Sequence, residues 1–167
     1  SIIAENLEPS EEITKTLVET LSDGAVLSFG LESADQAVHE ANWLNCDPIQ
    51  LKTAIRLINK YGAERGNRGL PKLLPGLNFI AGLNGETSST YQQNLSLLRD
   101  IRSEDLLLRR INIRQVEGSG FQEIVESDFA EFKQSVRDEI DGPLLEDLFP
   151  KGEILREIRW ESHNGRT

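Results

Sequence analysis

Residues 25–32 read Ala25-Val-Leu-Ser-Phe-Gly-Leu-Glu32 and follow the turn pair Asp23-Gly24. The run is short, apolar and bounded by a breaker, so it predicts a buried strand. Successive side chains of a strand point to opposite faces. Ala25, Leu27, Phe29 and Leu31 therefore share one face, and Val26, Ser28, Gly30 and Glu32 the other. Two later stretches behave alike. Leu73 to Gly82 sets Leu77, Phe79 and Ala81 against Gly76, Asn78, Ile80 and Gly82, and Leu106 to Val116 sets Arg109, Ile111, Ile113 and Gln115 against Arg110, Asn112, Arg114 and Val116. One face suits packing under helices. The other carries Ser28, Glu32, Asn78, Arg110, Asn112 and Arg114.

Polar groups on the second face of a parallel sheet are costly if dry and unpaired. Two readings follow: a barrel lumen in which Glu32 pairs with Arg110 or Arg114, or a small-molecule pocket lined by these groups. Glycines at 30, 76 and 82 favour the pocket, because a missing side chain lets a ligand approach the backbone. A flat doubly wound sheet needs helices over both faces, and this face is too polar for that.

Helical signals fill the gaps between strands. Ser10 is a good N-cap with Glu11 and Glu12 in the first turn, and Ile13, Leu17, Val18 and Leu21 form one stripe. A short helix is expected over Asp35 to Asn42. Asp47 caps a stronger one, with Pro48 at its first position and Leu51, Ala54, Ile55, Ile58 and Tyr61 on its buried face. Further helices are expected over Thr87 to Ile101 and Asp128 to Ile140, the latter ending before Gly142-Pro143. Leu144 to Phe149 adds a turn, Gly118-Ser-Gly120 reads as a linker, and Ile154 to Glu161 as a terminal strand. Alternating strands and helices imply a parallel sheet with right-handed crossovers. Function in such sheets sits at the strands' carboxyl ends.

Composition narrows the classes. The chain has 167 residues, 28 acidic and 18 basic, for a net charge of -10. That length suits one domain, and the acidic balance argues against a nucleic-acid surface. Twelve arginines against six lysines, with acid spread along the chain, suit a halophilic, high-salt cytoplasm. No apolar run is long enough for a membrane span, and the N-terminus lacks a signal peptide's pattern, so a cytoplasmic setting is expected. Serine at position 1 and the absence of methionine suggest a piece excised from something longer.

Other sites are weaker. Cys46 stands alone, which excludes an internal disulfide and any multi-cysteine metal site built by this chain, and it reads as a loop residue. His39 and His163 are too far apart in sequence to suggest a metal site, and His39, beside Glu40, reads as solvated. Residues 62–69 contain glycines without a phosphate-loop pattern, and no serine-nucleophile elbow is present. Glu32 and Glu86, at successive strand ends, raise the possibility of an acid–base pair, against which stands an arginine-paired carboxylate and a solvated turn residue.

Leu27-Ser-Phe-Gly-Leu-Glu-Ser-Ala-Asp35, Asn78-Phe-Ile-Ala-Gly-Leu-Asn-Gly-Glu-Thr87 and Leu107-Leu-Arg-Arg-Ile-Asn-Ile-Arg-Gln-Val116 together resemble the later half of a radical SAM enzyme barrel. The closest likeness is to archaeal Fe-S oxidoreductases of that type, over roughly residues 20–160. The resemblance implies a partial (β/α) barrel of TIM-barrel-like form, with residues 1–150 its C-terminal part and 151–167 a terminal strand and tail, expected as the start of a following β domain. It implies that Ser28 and Glu32 match the fourth-strand motif around the methionine or ribose part of S-adenosylmethionine, with Gly30 between them. Ile80 and Gly82 match the fifth-strand motif GxIxGxxE on the adenine side, although Asn78 replaces its first glycine and Glu86 lies one residue too far along. Arg110, Asn112 and Arg114 fall on the matching sixth strand, and their place beside the cofactor is inferred from facing.

The family holds a [4Fe-4S] cluster with a CxxxCxxC loop, which this chain lacks. The expectation is a fragment that supplies part of the cofactor pocket, binds neither cluster nor cofactor alone, and needs the missing N-terminal barrel half as its partner. In the parent, the family's chemistry is reductive cleavage of the cofactor to a 5′-deoxyadenosyl radical and hydrogen abstraction from an unknown substrate. Open strand edges also allow self-association into a homo-oligomer. Two alternatives stand beside this: a stand-alone α/β binding or interaction module, and a cluster-independent hydrolase or isomerase using Glu32.

Overall fold

Short apolar runs separated by amphipathic segments fold here into strands crossed over by helices. The computed structural model describes residues 10–116, 118 and 121–157. Strands β1 (Ala25–Glu32), β2 (Leu73–Ala81) and β3 (Arg110–Gln115) form a parallel sheet in the order β1-β2-β3. Helices α1 (Glu11–Thr20), α2 (Gln36–Asn42), α3 (Pro48–Gly62), α4 (Ser88–Ser103), α5 (Glu126–Ser135) and α6 (Gly142–Leu148) surround its apolar side. The protein is α/β, with an open three-stranded sheet.

Leu31, Leu77, Phe79 and Ala81 meet Leu51 and Ile55 of α3, Tyr91, Leu95, Leu98 and Ile101 of α4, and Phe129 and Phe132 of α5 in one cluster. Phe79 and Phe132 pack edge to face at 6.1 Å, and Phe132 stacks on Tyr91 at 5.6 Å. A smaller cluster of Ala54, Ile58 and Leu73 takes in Leu17 and Val18 of α1. Caps fix the helix starts: Ser10, Asp35 and Asp47 accept from Ile13, Ala37 and Ile49 N–H at 3.3, 3.0 and 2.9 Å. Arg56 grips both carboxylate oxygens of Glu104 at 2.6 and 2.7 Å, tying α3 to α4.

Several sequence expectations change. β3 starts at Arg110 rather than Leu106, because the Asn59 side chain serves both backbone groups of Leu107, accepting at 2.8 Å and donating at 3.0 Å. Strand pairing is not needed there. Gly142-Pro143 does not end the fifth helix. The chain widens into a π-helical turn over Val136–Asp141, where Gly142 N–H bonds the Arg137 carbonyl, and runs on into α6. On α1, Ile13 and Leu21 are exposed, and Thr14, whose hydroxyl donates to the Ser10 carbonyl, is the buried residue. Residues 154–157 are not a strand; Arg156 N–H bonds the Arg68 carbonyl at 3.0 Å. The remainder of that expected strand, and residues 119–120 of the expected linker, lie outside the described residues. Among the described residues no helix is long and apolar enough to cross a membrane.

The two sheet faces should answer mutation differently. Leu77→Ala, at a fully buried position, is expected to cost about 3 kcal/mol in urea unfolding. Ser28→Ala, on the exposed face, should stay within about 0.5 kcal/mol. Equal losses would show that both faces are covered.

Candidate functional site

Register decides which side chains become neighbours. Ser28 lies beside Gly76, which lies beside Arg110; Gly30, Asn78 and Asn112 form the next row; Ile80 pairs with Arg114. Ser28, Gly30, Arg110 and Arg114 are exposed, while Asn78, Ile80 and Asn112 are partly buried. The sequence-predicted polar residues thus share one uncovered face, and across it Asn112 Nδ2 donates to Asn78 Oδ1 at 2.8 Å.

Glu32 closes this face at the carboxyl end of β1. The register shifts between Gly30 and Glu32, and Glu32 takes a left-handed backbone, φ 64. That conformation is uncommon for a non-glycine residue and disfavoured by roughly 1 kcal/mol or more. Its side chain folds back along the strand, so that a Cβ at Gly30 would lie 2.6 Å from Glu32 Oε1. Oε2 is buried without a hydrogen-bond partner in the described structure. Burial pushes the Glu32 carboxyl above its usual range, and the field of Arg114 partly opposes this. The expected ion pairs of Glu32 with Arg110 or Arg114 do not form among the described residues.

The three glycines serve protein contacts rather than an open approach. Gly30 makes room for Glu32. A Cβ at Gly76 would lie 3.0 Å from both Ser28 Oγ and Val26 Cγ1. Gly82 lies past β2 at φ 93, where its N–H donates to Glu86 Oε2 at 2.6 Å, so it belongs to the turn and not to the open face.

Two further readings are corrected. Glu86 is buried and accepts from the N–H groups of Gly82 and Leu83, so it is a loop brace rather than a solvated residue or an acid–base partner for Glu32. His39 is also buried. Its Nε2 contacts the Ser33 carbonyl, and because a carbonyl only accepts, that nitrogen carries the proton. Cys46 does lie in a loop, between α2 and α3, and its thiol is pushed up to about 11 by burial, then by Asp47 and Glu32.

A buried polar clamp holds the loop after Glu32. Asp35 accepts from Thr90 Oγ1 at 2.6 Å, Asn94 Oδ1 accepts from Ala34 N–H at 2.6 Å, and Ser33 Oγ accepts from Asp35 N–H at 3.1 Å. These bonds fasten residues 33–35 to the first turns of α4. Sequence reasoning missed Thr90 and Asn94. The available signal was two polar residues on the Tyr91, Leu95, Leu98 face of α4.

No known protein family matches the chain. It is 42% identical over 169 residues to an uncharacterised protein of Archaeoglobus fulgidus, which covers 95% of this chain and 32% of that protein. It is 39% identical over 168 residues to an uncharacterised protein of Methanocaldococcus jannaschii, covering 95% and 31% respectively. The chain spans about a third of the length of these curated archaeal relatives.

The raised Glu32 carboxyl fixes the sign of a pH effect. The folded chain holds this proton more tightly than the unfolded chain, so the charged form subtracts stability above the folded value. The penalty fades as pH falls and is gone below the ordinary carboxylate range. Glu32→Gln is expected to raise the urea midpoint at pH 7 and to leave it unchanged at low pH. A carbon NMR titration that places Glu32 at or below its usual value would refute this.

Proposed function

We propose that this chain is part of a radical SAM iron–sulfur protein, in which it supplies later strands of a partial (β/α) barrel and one wall of the S-adenosylmethionine pocket. The observation that carries the reading is the polar face of Ser28, Asn78, Asn112 and Arg114, with Glu32 brought to its edge by the register shift after Gly30, on a parallel sheet whose other face is under helices. The sequence resemblance adds to it, and so does the length of the relatives, which leaves room for the rest of a barrel.

The residues present fit one of the two groups such a protein holds. Glu32 Oε2 is a buried acceptor without a partner, suited to the ammonium or ribose hydroxyls of S-adenosylmethionine, and Arg110 and Arg114 suit its carboxylate. When bound to a cluster, this cofactor supplies radical chemistry. The chain's own part is to orient the polar end of the cofactor and to keep a carboxylate poised at the strand end. The [4Fe-4S] cluster does not fit. Cys46 is the one cysteine, burial holds its thiol protonated, and the described residues contain no group of three metal-ligating side chains. No step through the cluster belongs to this chain, and its thiolates fall to another part of the protein. That same lack of ligands favours the second reading, a binding or interaction module without catalysis.

Anaerobic reconstitution, with iron and sulfide, of the full native reading frame containing this chain separates the two. The proposal expects three clustered cysteines in that frame and a reduced-cluster magnetic resonance spectrum that changes on adding S-adenosylmethionine. In Glu32→Gln the change should need roughly tenfold more cofactor. A frame without such cysteines, or a silent spectrum, assigns the chain to the non-catalytic reading.

A further inference from the structure

The connection between α2 and α3 borders an open cavity of about 660 Å³, none of whose lining residues lies on the polar face of the sheet. Trp43 stands on its rim. It is 89% exposed and holds a left-handed backbone, φ 55, as the C-cap of α2. A bulky aromatic residue seldom adopts that conformation, and here it leaves an indole uncovered at the opening. Glu40 and Asp47, both exposed, line the same cavity. Glu40 takes one hydrogen bond, from Gln36 at 3.1 Å, and Asp47 Oδ1 takes the Ile49 N–H, which leaves the second oxygen of each for another donor. Among the described residues no lysine or arginine lines the cavity, and the donor nitrogen of His39 is committed to Ser33.

An open aromatic face beside two carboxylates without a counter-charge is the chemistry that holds an organic cation. We infer that this cavity binds a guanidinium or alkylammonium group, seated over the Trp43 indole and hydrogen-bonded to Glu40 and Asp47. The chain's net charge of -10 draws such a ligand toward the site. The negative surroundings also show at Cys46, another lining residue, whose thiol is raised by burial and then by Asp47. The inference is independent of the cofactor reading, since none of its residues belongs to the strand face.

Calorimetric titration of the 167-residue chain with arginine, and with citrulline as the neutral isostere, tests it. Arginine is expected to bind and citrulline to show no saturation. Trp43→Ala, Glu40→Gln and Asp47→Asn should each weaken arginine roughly fivefold. Asparagine caps a helix as well as aspartate, so Asp47→Asn removes charge without loosening α3. A blocked Gly-Arg-Gly peptide distinguishes the source: binding tighter than free arginine assigns a peptide side chain, and weaker binding a free small cation. Equal behaviour of arginine and citrulline, or three variants that bind like the parent chain, overturns the proposal.

Discussion

Leu31, Leu77, Phe79 and Ala81 are buried against α3, α4 and α5, and this one-sided burial organises the rest of the molecule. A strand cannot bury one row without turning the alternate row the other way. With β2 in the centre and both neighbours parallel, the outward residues from Ser28 to Gly30, at Asn78 and from Arg110 to Arg114 come together as one mostly polar surface. The hydrophobic contribution on one side thereby fixes the chemistry displayed on the other. Glu32 is the position where the two demands collide. Leu31 stays fully buried, and the next residue adopts a left-handed backbone to keep its carboxylate on the open side.

Such a conformation persists when its surroundings hold it. The bonds from Thr90 to Asp35, from Ala34 to Asn94 and from His39 to Ser33 fasten the loop after Glu32 to α4 and α2. Because these groups are buried, removing one partner leaves another unsatisfied, which is costlier than the bond itself is favourable. The carboxyl end of β1 is thus braced by polar contacts, while the body of the sheet is braced by apolar ones. Cavity, clamp and polar face all gather near the carboxyl end of β1, as parallel topology favours.

Much of this is legible in the sequence because it rests on short-range periodicity. The three strands, their faces, the caps at Ser10 and Asp47 and the helix after Thr87 appear where alternation and capping place them, apart from the late start of β3. What is not legible depends on distant partners. Asn59 reaches across 48 residues to replace strand pairing at Leu107, so β3 is shorter than its apolar run. Glu86 looks like a turn residue and His39 like a surface one, yet each is buried by an interaction that only the folded loop creates. Glycines at 30, 76 and 82 show that space is needed, and the sequence leaves open that the occupant is the protein itself.

The wide turn at Val136–Asp141 bears on how the last helical stretch keeps its face. Phe132, Val136, Ile140, Leu144 and Leu148 are all buried and recur every fourth position. In a regular helix of 3.6 residues per turn, a spacing of four drifts around the axis by about 40° at each step. A turn that accommodates more residues takes up that drift, so one straight seam of side chains stays against the body of the protein across Gly142-Pro143. Ordinary winding over the same residues would carry Leu144 about 120° and Leu148 about 160° around the axis from Phe132. The widened turn works as a phase corrector, and its length, more than the identity of its exposed residues, is what the fold fixes.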